Sequence, residues 1–157
     1  WDEVNLDGFV WTVPAERMKS NKEHCVPLSG RAVEILQSQK AAAAHVTLVF
    51  PSPTGCVPSD MILTKFLRDH NIASSEPGRT ATAHGFRSSF RDWASENGYS
   101  RDYAERALAH TIRNQAEAAY HRTDLLEQRR GMMEAWSKHV CGLGVDSNKV
   151  IPIRGAS

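Results

Sequence analysis

No stretch of this 157-residue sequence approaches the roughly 18 consecutive apolar residues of a helical membrane span, and its start does not read as a signal peptide. Cysteine is scarce. Cys25, Cys56 and Cys141 are odd in number, far apart and in no metal-ligand spacing, which argues against a disulfide framework and reads as reduced thiols in a cytosolic protein. Net charge is almost absent as well: +1 in total, which by itself argues poorly for a nucleic-acid partner. There is no internal repeat, and no low-complexity tract beyond the alanines at 41–44. What is present is ordinary for a globular domain, with 41% apolar and 24% charged residues and length enough for one domain with a real core. Charge is uneven along it. Seven arginines from Arg79 to Arg122 populate the central stretch, with five carboxylates between Arg91 and Glu117. A basic face with an acidic back would suit DNA; helix faces laced with ion pairs account for the same charges equally well.

The chain reads as mostly helical with a small antiparallel sheet at its front. Asn5-Leu6-Asp7-Gly8 is a turn signal, so 1–4 and 9–13 are expected as paired strands, and a strand at His24–Pro27 follows the polar turn Ser20–Glu23. Pro14 and Pro27 limit the pairing. Ser29 is placed to cap a helix to about Gln39, with the alanines at 41–44 extending or fraying it. Val46–Phe50 is β-rich and ends at Pro51. Ser59 caps a helix to about His70, with Met61, Leu63, Phe66 and Leu67 as its apolar positions. Thr82 caps the next, in which Phe86, Phe90, Trp93 and Ala94 form an inward stripe that stops at Asn97-Gly98. Ser100 caps a helix to about Ala109, a short one runs from Asn114 to Tyr120, and the last starts at Thr123 or Asp124. Met132, Met133 and Trp136 on that last helix read as core or a docking face. Residues 1–142 are expected as one domain and 143–157 as a tail.

Within this frame one constellation carries chemistry. His84 and Arg87 are three apart, which on a helix puts them on one face, a turn from each other. An imidazole beside a guanidinium fork cradles a tetrahedral oxyanion such as phosphate. His110 offers a second imidazole and Tyr120 a hydroxyl. Without a carboxylate cluster nearby, these four groups suggest phosphoryl transfer with no metal and no cofactor. The remaining histidines, His24, His45, His70, His121 and His139, read as structural or surface residues.

His84-x-x-Arg87, Leu108-Ala109-His110 and Ala118-Ala119-Tyr120, in that order and spacing, resemble the tyrosine recombinases, specifically phage and prophage integrases. The run Arg122-Thr123-Asp124-Leu125-Leu126-Glu127-Gln128-Arg129-Arg130 is similar to those integrases too, as are Val13–Lys19 and Val26–Ser29 upstream. The resemblance covers roughly residues 1–140. It implies a tyrosine-recombinase catalytic domain of α+β class, mostly helical, with a three-stranded antiparallel sheet at its N-terminal end.

The resemblance also implies roles. Tyr120 would attack a DNA phosphodiester and form a 3′-phosphotyrosine, Arg87 would clamp a non-bridging oxygen, and His84 and His110 would flank the phosphate. Lys19 in the β-hairpin would protonate the leaving 5′-oxygen; Lys22, in the same turn, is the alternative. Implied partners are double-stranded attachment-site DNA, further protomers in a recombination tetramer, and accessory DNA-bending or directionality proteins, all in a cytoplasmic setting without a membrane. The family places a first catalytic arginine and a core-binding domain upstream of the matched region, so these 157 residues alone are expected to fold without recombining DNA. Tails such as Val150-Ile151-Pro152-Ile153 are expected to dock on a neighbour or fold back. Two other functions are compatible with the residues: a type IB topoisomerase-like strand transferase, and a DNA-binding or dimerisation module that has lost its chemistry.

Overall fold

The computed structural model describes residues 1–42, 45–110 and 124–142. Strands β1 (Val4–Asn5), β2 (Val10–Val13) and β3 (His24–Pro27) form an antiparallel sheet in that order, with Trp11 opposite Val26 and Val13 opposite His24. Five helices follow among the described residues: α1 (Gly30–Ala42), α2 (Ile62–Asp69), α3 (Gly85–Glu96), α4 (Arg101–Ala107) and α5 (Leu126–Val140). The short helix expected at Asn114–Tyr120 and the tail expected at 143–157 lie outside the described residues.

Local chemistry sets most boundaries. Asn5 Oδ1 accepts from the Gly8 amide at 2.7 Å, closing the β1–β2 turn. A Cβ on Gly8 would lie 2.9 Å from the Asn5 side-chain amide, so a larger residue there would push on the group that closes the turn. Ser29, Thr82 and Ser100 each accept from a backbone amide two or three residues on, as the helix-cap reading expects. Gly98, at φ +73°, follows the end of α3.

Two expectations are corrected. Residues 46–50 form no strand. His45 Nδ1 accepts the amides of Thr47 at 3.2 Å and Leu48 at 3.0 Å, so two groups a ladder would need are spent on a local turn. The second concerns apolar faces. Of the α2 positions only Leu67 is buried, while Met61, Leu63 and Phe66 are exposed. Phe86 is likewise 54% exposed. The groups that cover the α3 stripe, Ala104, Met132 and Trp136, pack around Phe90, Trp93 and Ala94, beyond the helix's first turn. Trp136 meets Phe90 edge-on at 5.4 Å and Trp93 at 5.2 Å, so the core is an aromatic cluster shared by α3, α4 and α5.

The sheet is tied to this core by two consecutive arginines of α5. Arg129 is fully buried. Its Nη2 donates to the Cys25 carbonyl of β3 at 2.8 Å and pairs with the Asp124 carboxylate, and its Nε donates to the Asp124 carbonyl at 3.0 Å. Arg130 reaches the other end of the sheet, donating to the carbonyls of Gly8 and Phe9 at 3.1 Å each. Replacing Arg129 with leucine should therefore destabilise the fold by about 3 kcal/mol, since it removes the donor from two part-buried carbonyls and the buried partner of the Asp124 carboxylate. The 44% exposure of Asp124 keeps the cost near the low end of that class, because its carboxylate can rehydrate. Urea unfolding of Arg129→Leu, and of Arg129→Lys as a partial replacement lacking the fork, measures this; a loss below about 1 kcal/mol would show the contacts to be dispensable.

His24, the first residue of β3, is half-buried against the start of α5 and the end of α4. Burial depresses its pKa, the Arg129 charge depresses it further, and the Asp124 carboxylate and a backbone hydrogen bond to Ala107 act in the opposite direction. The native state thus binds this proton less readily than the unfolded chain. Its contribution is present above the unfolded value of about 6.5 and is lost as pH falls below it toward the folded value. Stability should decline on acidification from pH 7 to 5, and His24→Gln should remove part of that slope in urea titrations at each pH.

Candidate active site

The site begins at the N-terminal end of α3. Thr82 Oγ1 takes the Gly85 amide at 3.1 Å and His84 stands at the cap position, already helical at φ −66° and ψ −33°. The Arg87 amide donates to the His84 carbonyl at 3.1 Å, so the two residues are one turn apart as the spacing predicts. His84 is exposed, and its side chain makes no hydrogen bond or ion pair with the described residues. The positive dipole end of a 12-residue helix therefore lies beside an imidazole and a guanidinium, an arrangement that favours an anion.

Arg87 is partly buried and reaches across to the end of α4, where its Nη2 donates to the Leu108 carbonyl at 2.6 Å. That carbonyl belongs to a hook. Leu108 ends the helix, Ala109 adopts the left-handed conformation at φ +52°, and the His110 amide returns to the Glu105 carbonyl at 2.9 Å while the Ala109 amide bonds Arg106 at 3.0 Å. This is a Schellman closure built on alanine where glycine is usual, so backbone strain sits next to His110. The helix thus ends at Ala107, two residues before the expected boundary.

Glu105 is a site residue that motif reading did not find. Its carboxylate meets His110 Nδ1 at 2.5 Å and Arg91 Nε at 2.7 Å, with Arg101 Nε at 3.8 Å. Burial pulls its pKa up, but the hydrogen bonds from His110 and Arg91 and their charges outweigh that and hold it below its ordinary value. No spacing signal marked it, since the Schellman hook that folds His110 back over the residue five before it rests on a left-handed alanine.

Arg87 and the turn bearing His110 are therefore brought together. Lys19 lies in the exposed β2–β3 connection, as does Lys22. The base of that hairpin is anchored nearby, because the His24 ring hydrogen-bonds to the backbone of Ala107, next to Leu108. Tyr120 lies outside the described residues. No three His, Cys, Asp or Glu side chains among the described residues converge as metal ligands would. An apolar recess of about 630 Å³ lies between Val4, Trp11, Leu28, Ile35, Leu36 and Phe50, and none of the candidate catalytic side chains lines it.

The phage integrase family model matches residues 1–125. The chain is 35% identical over 151 residues to the prophage integrase IntA of Escherichia coli (strain K12), covering 96% of this chain and 35% of that protein. It is 32% identical over 173 residues to the integrase of Enterobacteria phage P4, with 98% and 37% covered. For the E. coli prophage integrase IntZ the identity is 36% over 139 residues, with 87% and 33% covered. The chain thus spans about a third of the length of these relatives. No solved structure matches it.

Proposed function

The chain belongs to the phage integrase family, and from that premise we propose that the protein carrying it recombines duplex DNA at specific sites by cutting and rejoining strands through Tyr120. The reading is carried by one observation: the Arg87 guanidinium, at the positive end of α3, is seated on the turn that presents His110. A phosphodiester resists attack because its charge repels nucleophiles and an alkoxide leaves poorly. Arg87 and the two histidines supply donors aimed at the charge that develops on the non-bridging oxygens.

Tyr120 Oη attacks the scissile phosphorus, and its proton passes to His84. The bond to the 5′-oxygen breaks, and that oxygen takes a proton from Lys19. The product is a 3′-phosphotyrosine and a free 5′-hydroxyl. Attack by the 5′-hydroxyl of another strand reverses the step, so rejoining consumes no ATP. The groups named complete the cycle without a metal ion. Exchange between two duplexes calls for several protomers on DNA, and accessory DNA-bending proteins fit the same scheme.

Nicked duplexes with randomised crossover sequence, which lose the short 5′-strand on cleavage, trap the intermediate. The intact protein should accumulate a denaturant-resistant protein–DNA species in the presence of EDTA. Duplex binding with no such species at any sequence would favour a binding module without chemistry.

A further inference from the structure

We propose that Glu105 is a positioning residue for His110: its carboxylate holds the ring Nδ1–H and thereby turns Nε2, as a donor, toward the phosphate that Arg87 clamps. The proposal rests on the strand-cleavage reading above. An ionised carboxylate only accepts, so the hydrogen shared across the 2.5 Å contact to Nδ1 originates on the imidazole. With Nδ1 engaged, Nε2 is the ring nitrogen left for a ligand. A ring held at Nδ1–H by the Glu105 carboxylate keeps Nε2 directed at a DNA phosphate. The backbone reinforces the link, since the His110 amide also bonds the Glu105 carbonyl at 2.9 Å. Arg87, on the carbonyl of Leu108, fixes the same turn from the α3 side.

A plainer role competes with this one. Glu105 also pairs with Arg91 at 2.7 Å and lies 3.8 Å from Arg101, so it could serve only to join α3 to α4. The two roles differ in whether the chemical step slows. Deleting a carboxylate beside two arginines raises the local positive charge, and electrostatics alone would then tighten DNA binding. Loss of ring positioning instead slows the chemical step while leaving affinity equal or tighter.

Glu105→Ala and Glu105→Gln in the intact protein separate these roles. Glu105→Ala should cut the single-turnover cleavage rate at saturating DNA about tenfold, the low end of what loss of a ring-orienting partner costs at ligating histidines. Its affinity for duplex DNA should not fall. Glu105→Gln keeps an acceptor for Nδ1–H but loses the ion pairs, and should recover most of the rate. Glu105→Ala added to His110→Ala should cost nothing further, as expected when one residue acts through the other. Equal losses in the alanine and glutamine variants, or additive losses with His110→Ala, would assign the residue to the α3–α4 ion pairs and overturn the proposal. Ring 1H–15N correlation spectra of the 157-residue chain give a readout independent of DNA cleavage. His110 should carry its hydrogen on Nδ1 in the unmodified chain and lose that preference in Glu105→Ala. Absence of the Nδ1 preference in the unmodified chain would refute the hold on the ring. Absence of any adduct, with the preference intact, would refute the strand-cleavage reading on which the positioning role depends.

Discussion

Replacing Tyr120 with phenylalanine should abolish covalent protein–DNA species while leaving non-covalent affinity within about twofold, because one hydroxyl is a small part of an affinity set by the number of phosphates neutralised. No other phenol replaces it in the described structure. Tyr99 and Tyr103 are partly buried against the aromatic core of α3 and α5. A phenol is a weak nucleophile at neutral pH, and in the proposed mechanism the positive charge of Arg87 and the start of α3 would activate it. Gel analysis of the nicked substrates under denaturing conditions reads the result directly. Adducts at the unmodified level in Tyr120→Phe would remove the residue from the chemistry.

Lys19→Met should slow cleavage of an ordinary phosphodiester by about 10²–10⁴, the usual contribution of a positioned general acid. The β2–β3 connection that carries Lys19 is exposed, and its first turn is tied down where Arg17 pairs with Glu3 at 2.5 Å. The same Glu3 accepts the Trp11 indole at 3.0 Å, so this turn is held to the sheet while its tip stays exposed. Proton delivery to the leaving oxygen has a distinctive signature. With sulfur in place of the bridging 5′-oxygen the leaving group departs as a thiolate and needs no acid, so Lys19→Met should regain a rate within about tenfold of the unmodified protein. Lys22→Met should cleave both substrates normally. The reverse pattern would move the acid to Lys22, and a defect in Lys19→Met that sulfur does not relieve would make Lys19 a phosphate contact instead.

The parts of the fold that are decided locally were legible in the sequence. The strand at His24–Pro27, the caps at Ser29, Thr82 and Ser100, and the stop at Asn97-Gly98 all arise from side chains acting within a few residues of themselves. What depends on distant packing was not legible. Val46–Phe50 has strand composition, but the ring of His45 occupies its amides. Phe66 and Phe86 follow helical periodicity, yet nothing in a single helix's pattern says where its neighbours end. Arg129 and Arg130 stood out as part of a family-like run, and their charge gave no hint of structural work. Their roles come from β3 and the β1–β2 turn, more than 100 residues away in the chain.

The candidate site divides in the same way. His84, Arg87 and His110 were found because their types and spacing carry chemistry that a linear motif can record. Glu105 was hidden because its contact passes through the Schellman hook. That hook forms only because Ala109 turns left-handed where a helix was expected to continue. An alanine there reads as helix, where a glycine would have marked the end.

The central claim is that Tyr120 becomes bonded to a 3′-phosphate of DNA. Its most direct test is proteolysis of the trapped protein–DNA species, nuclease trimming, and fragmentation mass spectrometry of the residual nucleotide-bearing peptide. The account predicts a peptide spanning Tyr120 with the nucleotide joined through its phosphate to the tyrosine oxygen, and a free 5′-hydroxyl on the released strand. Attachment at another residue, or a 5′-phosphate link, would contradict it.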